Sequence, residues 1–95
     1  MLVLTANKTK MICLAKAMGY NPPKKAVFSK AYRDRHWWLE WGDNSGYYSA
    51  CLGVAAGRAF FGMHYYAPDR DAPERWTAVT LSMDELKNFD LVQDV

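Results

Sequence analysis

Ninety-five residues, 51% apolar and 23% charged, suffice for one folded domain around a single core, and this composition excludes disorder over most of the chain. The net charge of +2 hides an asymmetry: residues 1–36 carry eight cationic side chains against Asp34 alone, whereas residues 37–95 carry four against nine anionic ones. Such an imbalance either draws an anionic partner to the basic part or is neutralised when the two halves fold together.

Cys13 and Cys51 are too few for a disulfide framework, and each sits among apolar neighbours, so both are expected as buried thiols. MLVLTANKTK lacks the order of a secretion signal, because its apolar run is short and its lysines come afterwards. The longest uncharged run, residues 44–57, contains three glycines and is too short to span a bilayer. A soluble protein of a reducing, cytoplasmic compartment is the expectation.

In chain order, Met11, Leu14, Ala15 and Met18 form the apolar stripe of an amphipathic helix over about residues 6–18. Thr5 is its expected N-cap, Gly19 suits the left-handed position that ends it, and Asn21-Pro22-Pro23 blocks its continuation. A helix-turn-helix does not follow. That motif wants an apolar residue six positions after the glycine, where this chain has Lys25, and Pro22-Pro23 sits awkwardly in the turn. KKAVFSKAY, residues 24–32, fits a short helix opened by Pro23 or a lead into a strand; a short helix or irregular segment is expected.

From Arg33 to Leu81 the signals are those of strands. RDRHWWLEW is closed by Gly42-Asp43-Asn44-Ser45-Gly46; YYSACLGVA and AFFGMHYY flank a turn at Gly57-Arg58; the polar loop APDRDAPER leads to WTAVTL. The alanines of SACLGVAAGRAF would also suit a helix, but Gly53 and Gly57 count against it. Gly62 is the expected site of a bulge. Ser82-Met83-Asp84-Glu85 has the capping-box pattern that opens a short last helix. The predicted fold is therefore a small single α+β domain: an N-terminal amphipathic helix, an antiparallel meander of about four strands and a short C-terminal helix.

No constellation in the sequence demands catalysis or a cofactor. His36, His64, Cys13 and Cys51 lack metal-ligand spacing, and nothing beside Cys51 marks it as an activated nucleophile, although His64 could approach it from the next strand. Asp69, Asp71 and Glu74 could hold a hard cation, but Arg70 and Arg75 interleave with them, as in a self-paired loop. No phosphate-binding glycine pattern occurs. The expectation is a protein that is not an enzyme and carries no metal or cofactor.

Strand periodicity sharpens a different candidate. Along residues 33–41, Arg33, Arg35, Trp37, Leu39 and Trp41 share one side, while Asp34, His36, Trp38 and Glu40 share the other. Trp37 and Trp41 are thereby assigned to the core, and Trp38 becomes the ring most exposed. Along residues 59–66, Phe61, Met63 and Tyr65 oppose Phe60, His64 and Tyr66, so both sides are aromatic. Two helices on opposite faces would bury both sides; two helices on one face would leave Trp38, Phe60, His64 and Tyr66 as an exposed patch. Trp, Tyr and Arg dominate binding hot spots, so the expected function is protein binding through Trp38, His64, Tyr66, Phe60, Arg33 and Arg35. Such a module would be an inhibitor or adaptor on a larger host nucleoprotein complex, of the kind that phages and mobile elements direct at host defence. The alternative is nucleic-acid binding through Lys8, Lys10, Lys16, Lys24, Lys25 and Lys30, and a homodimer would be a third way to cover the rings.

Overall fold

The computed structural model describes residues 2–31, 35–69 and 74–92. The described residues form α1 (Lys8–Ala17), β1 (Val27–Ala31), β2 (His36–Asp43), β3 (Gly46–Ala55), β4 (Arg58–Tyr66), β5 (Arg75–Thr80) and α2 (Met83–Asn88). The strands make one antiparallel sheet in sequence order, a meander of five rather than four. The additional strand is β1, where a short helix or irregular segment was expected. Phe28 pairs with Leu39 and Lys30 with Trp37, and the Phe28 and Trp37 rings stack at 5.7 Å. The partner strand, absent from any local reading, decides the conformation of a segment whose own pattern is ambiguous.

In α1, Met11, Leu14 and Ala15 are buried as the stripe requires, and Gly19 follows with φ +94°. The N-cap is Asn7, whose side chain accepts from the Lys10 amide at 2.9 Å, and not Thr5. Thr5 is committed elsewhere: its amide donates to the Leu91 carbonyl at 2.9 Å, beside a bridge between Leu4 and Val92. Cys13 lies one position off the buried stripe and is exposed, contrary to expectation; Cys51 is buried. In α2 both halves of the capping box form, with the Glu85 amide 3.1 Å from Ser82 Oγ and the Ser82 amide 3.0 Å from Glu85 Oε1. The Ser82 amide, with its hydroxyl second, holds the Glu85 carboxyl below the usual range.

Register divides the sheet into two faces. Phe28, Trp37, Leu39, Trp41, Tyr48, Ala50, Leu52, Ala59, Phe61 and Met63 point to one side. They form a single cluster with Met11, Leu14 and Ala15 of α1 and Leu86 of α2. Both helices therefore cover the same face. Truncating one of its fully buried leucines would cost about 2–5 kcal/mol. Lys10 Nζ lies 3.3 Å from Asp90 Oδ2, an ion pair that joins the basic and acidic halves within this layer.

The turn between β3 and β4 consists of Ala56 (φ +52°) and Gly57 (φ +75°), both in the left-handed region that a two-residue hairpin needs. Alanine is strained there, since its Cβ crowds the following carbonyl. Ala56→Asn is expected to stabilise the fold by about 0.5–1 kcal/mol. A denaturant midpoint that stays put or falls would contradict it.

Candidate protein-binding face

The other face is built on small residues. Across the sheet its central row reads Ser29, Trp38, Cys51, Gly62, Ala78, and the next row reads Val27, Glu40, Ser49, His64, Trp76. Rings from neighbouring strands lie down in the low ground between them. A Cβ on Gly62 would stand 2.8 Å from Trp76 Cη2, and one on Gly53 would stand 2.3 Å from His36 Cδ2. Gly62 is thus not a bulge. Its pairing continues unbroken to Cys51 on one side and Ala78 on the other, and the missing side chain makes room for the Trp76 indole. Cys51, buried in this face, is absent from the core cluster on the helix side.

The rings touch one another in sequence. His36 meets Phe60 edge-on at 5.3 Å and Trp38 at 6.4 Å; Trp76 meets His64 edge-on at 5.6 Å; His64 lies 4.1 Å from Tyr66, which reaches Tyr47 at 6.1 Å. Two of them are tied down by carboxylates. The Tyr47 hydroxyl donates to Glu40 Oε2, and His64 Nε2 donates to Glu74 Oε2 at 2.9 Å. Hydrogen bonding to Glu40, then burial, then the charges of Glu40 and Tyr66 push the Tyr47 phenol up to about 12. These contacts restrict rotamers before any partner arrives, which lowers the entropic cost of binding.

Four of the six partner-binding residues expected from the sequence, Trp38, Phe60, His64 and Tyr66, share this face. Their exposure is ranked differently from expectation. Trp38 is half-buried, while Trp76 is 54% exposed, Tyr47 42% and Tyr66 38%. Trp76 and Tyr47 were missed. Their alternation was visible in RWTAVTL and YYSACLGVA, and the detectable signal was the small residues Ser49, Cys51, Gly53, Gly62 and Ala78, a floor on which large neighbours can rest. Arg35 is exposed at the turn before β2, with φ +59°. Arg33 lies outside the described residues.

Most of the lysines lie elsewhere. Lys8, Lys10 and Lys16 are on α1, with Lys8 Nζ donating to the Lys24 carbonyl, and Lys24 and Lys25 precede β1. Lys30 Nζ stands 4.5 Å from the centre of the Trp37 ring on the helix side of the sheet. The ring-bearing face has Glu40 on β2, Glu74 bonded to His64 and Arg58 beside the β3–β4 turn, and Lys25 lines a hollow at its β1 end together with Val27, Glu40 and Tyr47.

Among the described residues no three His, Cys, Asp or Glu side chains gather as a metal site would require, and no helix is long and apolar enough to cross a membrane. Of the acidic loop cluster, Asp71 lies outside the described residues, and Glu74 is bonded to His64. Cys51 and His64 share a face but pair with Gly62 and Ser49 respectively, one diagonal step apart.

Two outcomes are expected. Gly62→Ala should lift the Trp76 indole from the sheet, changing tryptophan emission and costing about 1–3 kcal/mol by overpacking; unchanged emission would contradict the contact. In the wild type, Tyr47 should ionise at about pH 12, above the ordinary phenol range. Because its folded-state value is raised, its contribution to stability is complete below the ordinary phenol range near 10 and is lost as pH rises toward about 12. Glu40→Gln should bring the late ultraviolet titration step downward.

No known protein family, curated protein or solved structure matches the chain.

Proposed function

We propose that this chain is a non-enzymatic protein-binding module and that the ring-covered face of its sheet is the binding surface. One observation carries the reading: α1 and α2 join the same cluster on one side, so neither helix covers the rings on the other, where Trp76, Tyr47 and Tyr66 are exposed. A contiguous apolar surface of this kind on a small domain marks an interaction site, and Trp and Tyr give it large contact area with few rotatable bonds.

The partner this face suits is another protein's flat apolar surface. Glu40 and Glu74 would repel a phosphate backbone; Lys8, Lys10 and Lys16 are on α1, Lys30 is on the helix side of the sheet, and Lys25, which borders the face, shares its hollow with Glu40. Small size and a pre-ordered face suit an inhibitor or adaptor that occupies part of a larger host nucleoprotein complex, as phage and mobile-element proteins do against host defence.

The test is capture of proteins by the tagged chain from its native cell, with and without nuclease. Capture of a discrete protein is expected to survive nuclease. Trp76→Ala should weaken it by about tenfold or more, with Trp38→Ala as a second lesion and circular dichroism confirming the fold. The Lys16→Glu, Lys24→Glu double variant, away from the rings, should leave it intact. Capture of nucleic acid alone, or loss of capture in the lysine variant but not in the tryptophan variants, would overturn the reading.

A further inference from the structure

Among the described residues the sheet ends at β1 on one side and β5 on the other, and the two edges are unlike. β1 carries Lys30 within its five residues and follows Pro22-Pro23-Lys24-Lys25, the charge and proline that keep an edge from pairing. β5 follows Pro73-Glu74 and carries its one charge at its first residue, Arg75, which leaves the rest of the edge unguarded. All six of its residues, RWTAVT, are exposed, and from Trp76 to Thr80 there is no charge, glycine or proline. Its register with β4 runs without a break from Tyr65–Arg75 to Phe60–Thr80, so no bulge turns the edge away. Alternate residues of β5 therefore present amide and carbonyl groups outward, in a segment rich in residues that favour strands.

We infer that β5 is a dimerisation edge and that its occupant is β5 of a second copy of this chain. A two-fold axis relating two antiparallel strands at a shared edge stands perpendicular to the sheet. One residue then faces its own copy, and every side chain stays on its original face. The centre of the uncharged stretch is Ala78, the smallest residue in it. With Ala78 on the axis, Thr77 faces Val79 of the second copy and Trp76 faces Thr80, each pairing occurring twice. Val79, 40% exposed in the single chain, gains a β-branched neighbour, and β-branched and aromatic cross-strand pairs of this kind stabilise a ladder. The two Arg75 side chains fall at opposite ends of the new ladder, so no like charges meet. Both ring-covered faces end up on the same side, joined into one surface of twice the width. The strand is thus complementary to itself in sequence as well as in backbone. The interface is small, so the dimer dissociates on dilution.

The test uses the purified chain with no other protein present, so its failure is distinct from failure of the proposed function. Sedimentation equilibrium over rising concentration should show a reversible monomer–dimer transition. Ala78→Lys, which sets two ammonium groups against each other on the axis, should weaken dimerisation by about tenfold or more; Trp38→Ala should not. In the wild type, amide exchange in β5 should slow as concentration rises, while exchange in β1 stays constant, a reading that requires no variant to fold. A monomer at every concentration, a dimer indifferent to Ala78→Lys, a dimer abolished by Trp38→Ala, or β5 exchange independent of concentration would each overturn the inference.

Discussion

The organisation of this domain rests on a lopsided burial. Met11, Leu14 and Ala15 from one helix and Leu86 from the other enter the same cluster with Leu39, Leu52 and Phe61 of the sheet. A sheet of this width has two faces to satisfy, and a chain of this length supplies helical cover for one. The consequence is a two-layer structure in which the second face must find its order without a helix. It does so through side chains alone. Indole and imidazole rings recline on glycines, and phenol and imidazole heads are fastened to Glu40 and Glu74.

That solution imposes sequence requirements opposite to those of the core. On the helix side, positions are large and interlock. On the far side, Gly53 and Gly62 must remain without side chains, because His36 and Trp76 occupy the space a Cβ would take. Glycine normally weakens a strand, but here the neighbour's ring supplies the buried contact that the missing side chain cannot. The resulting surface is both apolar and ordered, whereas an unsupported crowd of rings would fluctuate. Order of this kind is what a recognition surface needs if association is not to be spent freezing its own side chains.

Much of the architecture was legible in the chain. The stripe of Met11, Leu14 and Ala15, the capping box at Ser82 and Glu85, and the alternation that separates Trp37 from Trp38 are local signals that tertiary contacts left unchanged. What was not legible depended on partners distant in sequence. VFSKA became a strand because Leu39 and Trp37 lie beside it, and Thr5 is held in the extended pairing with Leu91, two residues before the helix begins at its N-cap Asn7. Periodicity sorts residues into faces but does not say which strand is interior and which is at the edge: Trp38 on interior β2 is half-buried, while Trp76 on edge strand β5 is exposed, although both share one face. Gly62 showed the same limit: a bulge and a seat for a ring require the same residue, and only the pairing to Cys51 and Ala78 distinguishes them.

The pairing of Leu4 with Val92 brings the first and last described segments together, and both residues pack against the cluster beneath the helices. The two ends of the described chain are therefore neighbours on the side away from the rings. A polypeptide continuing from either end, or a surface to which either end is tethered, meets the domain from behind. The domain is built like a tile with its fixings at the back, and attachment to something else leaves its patterned side turned outward.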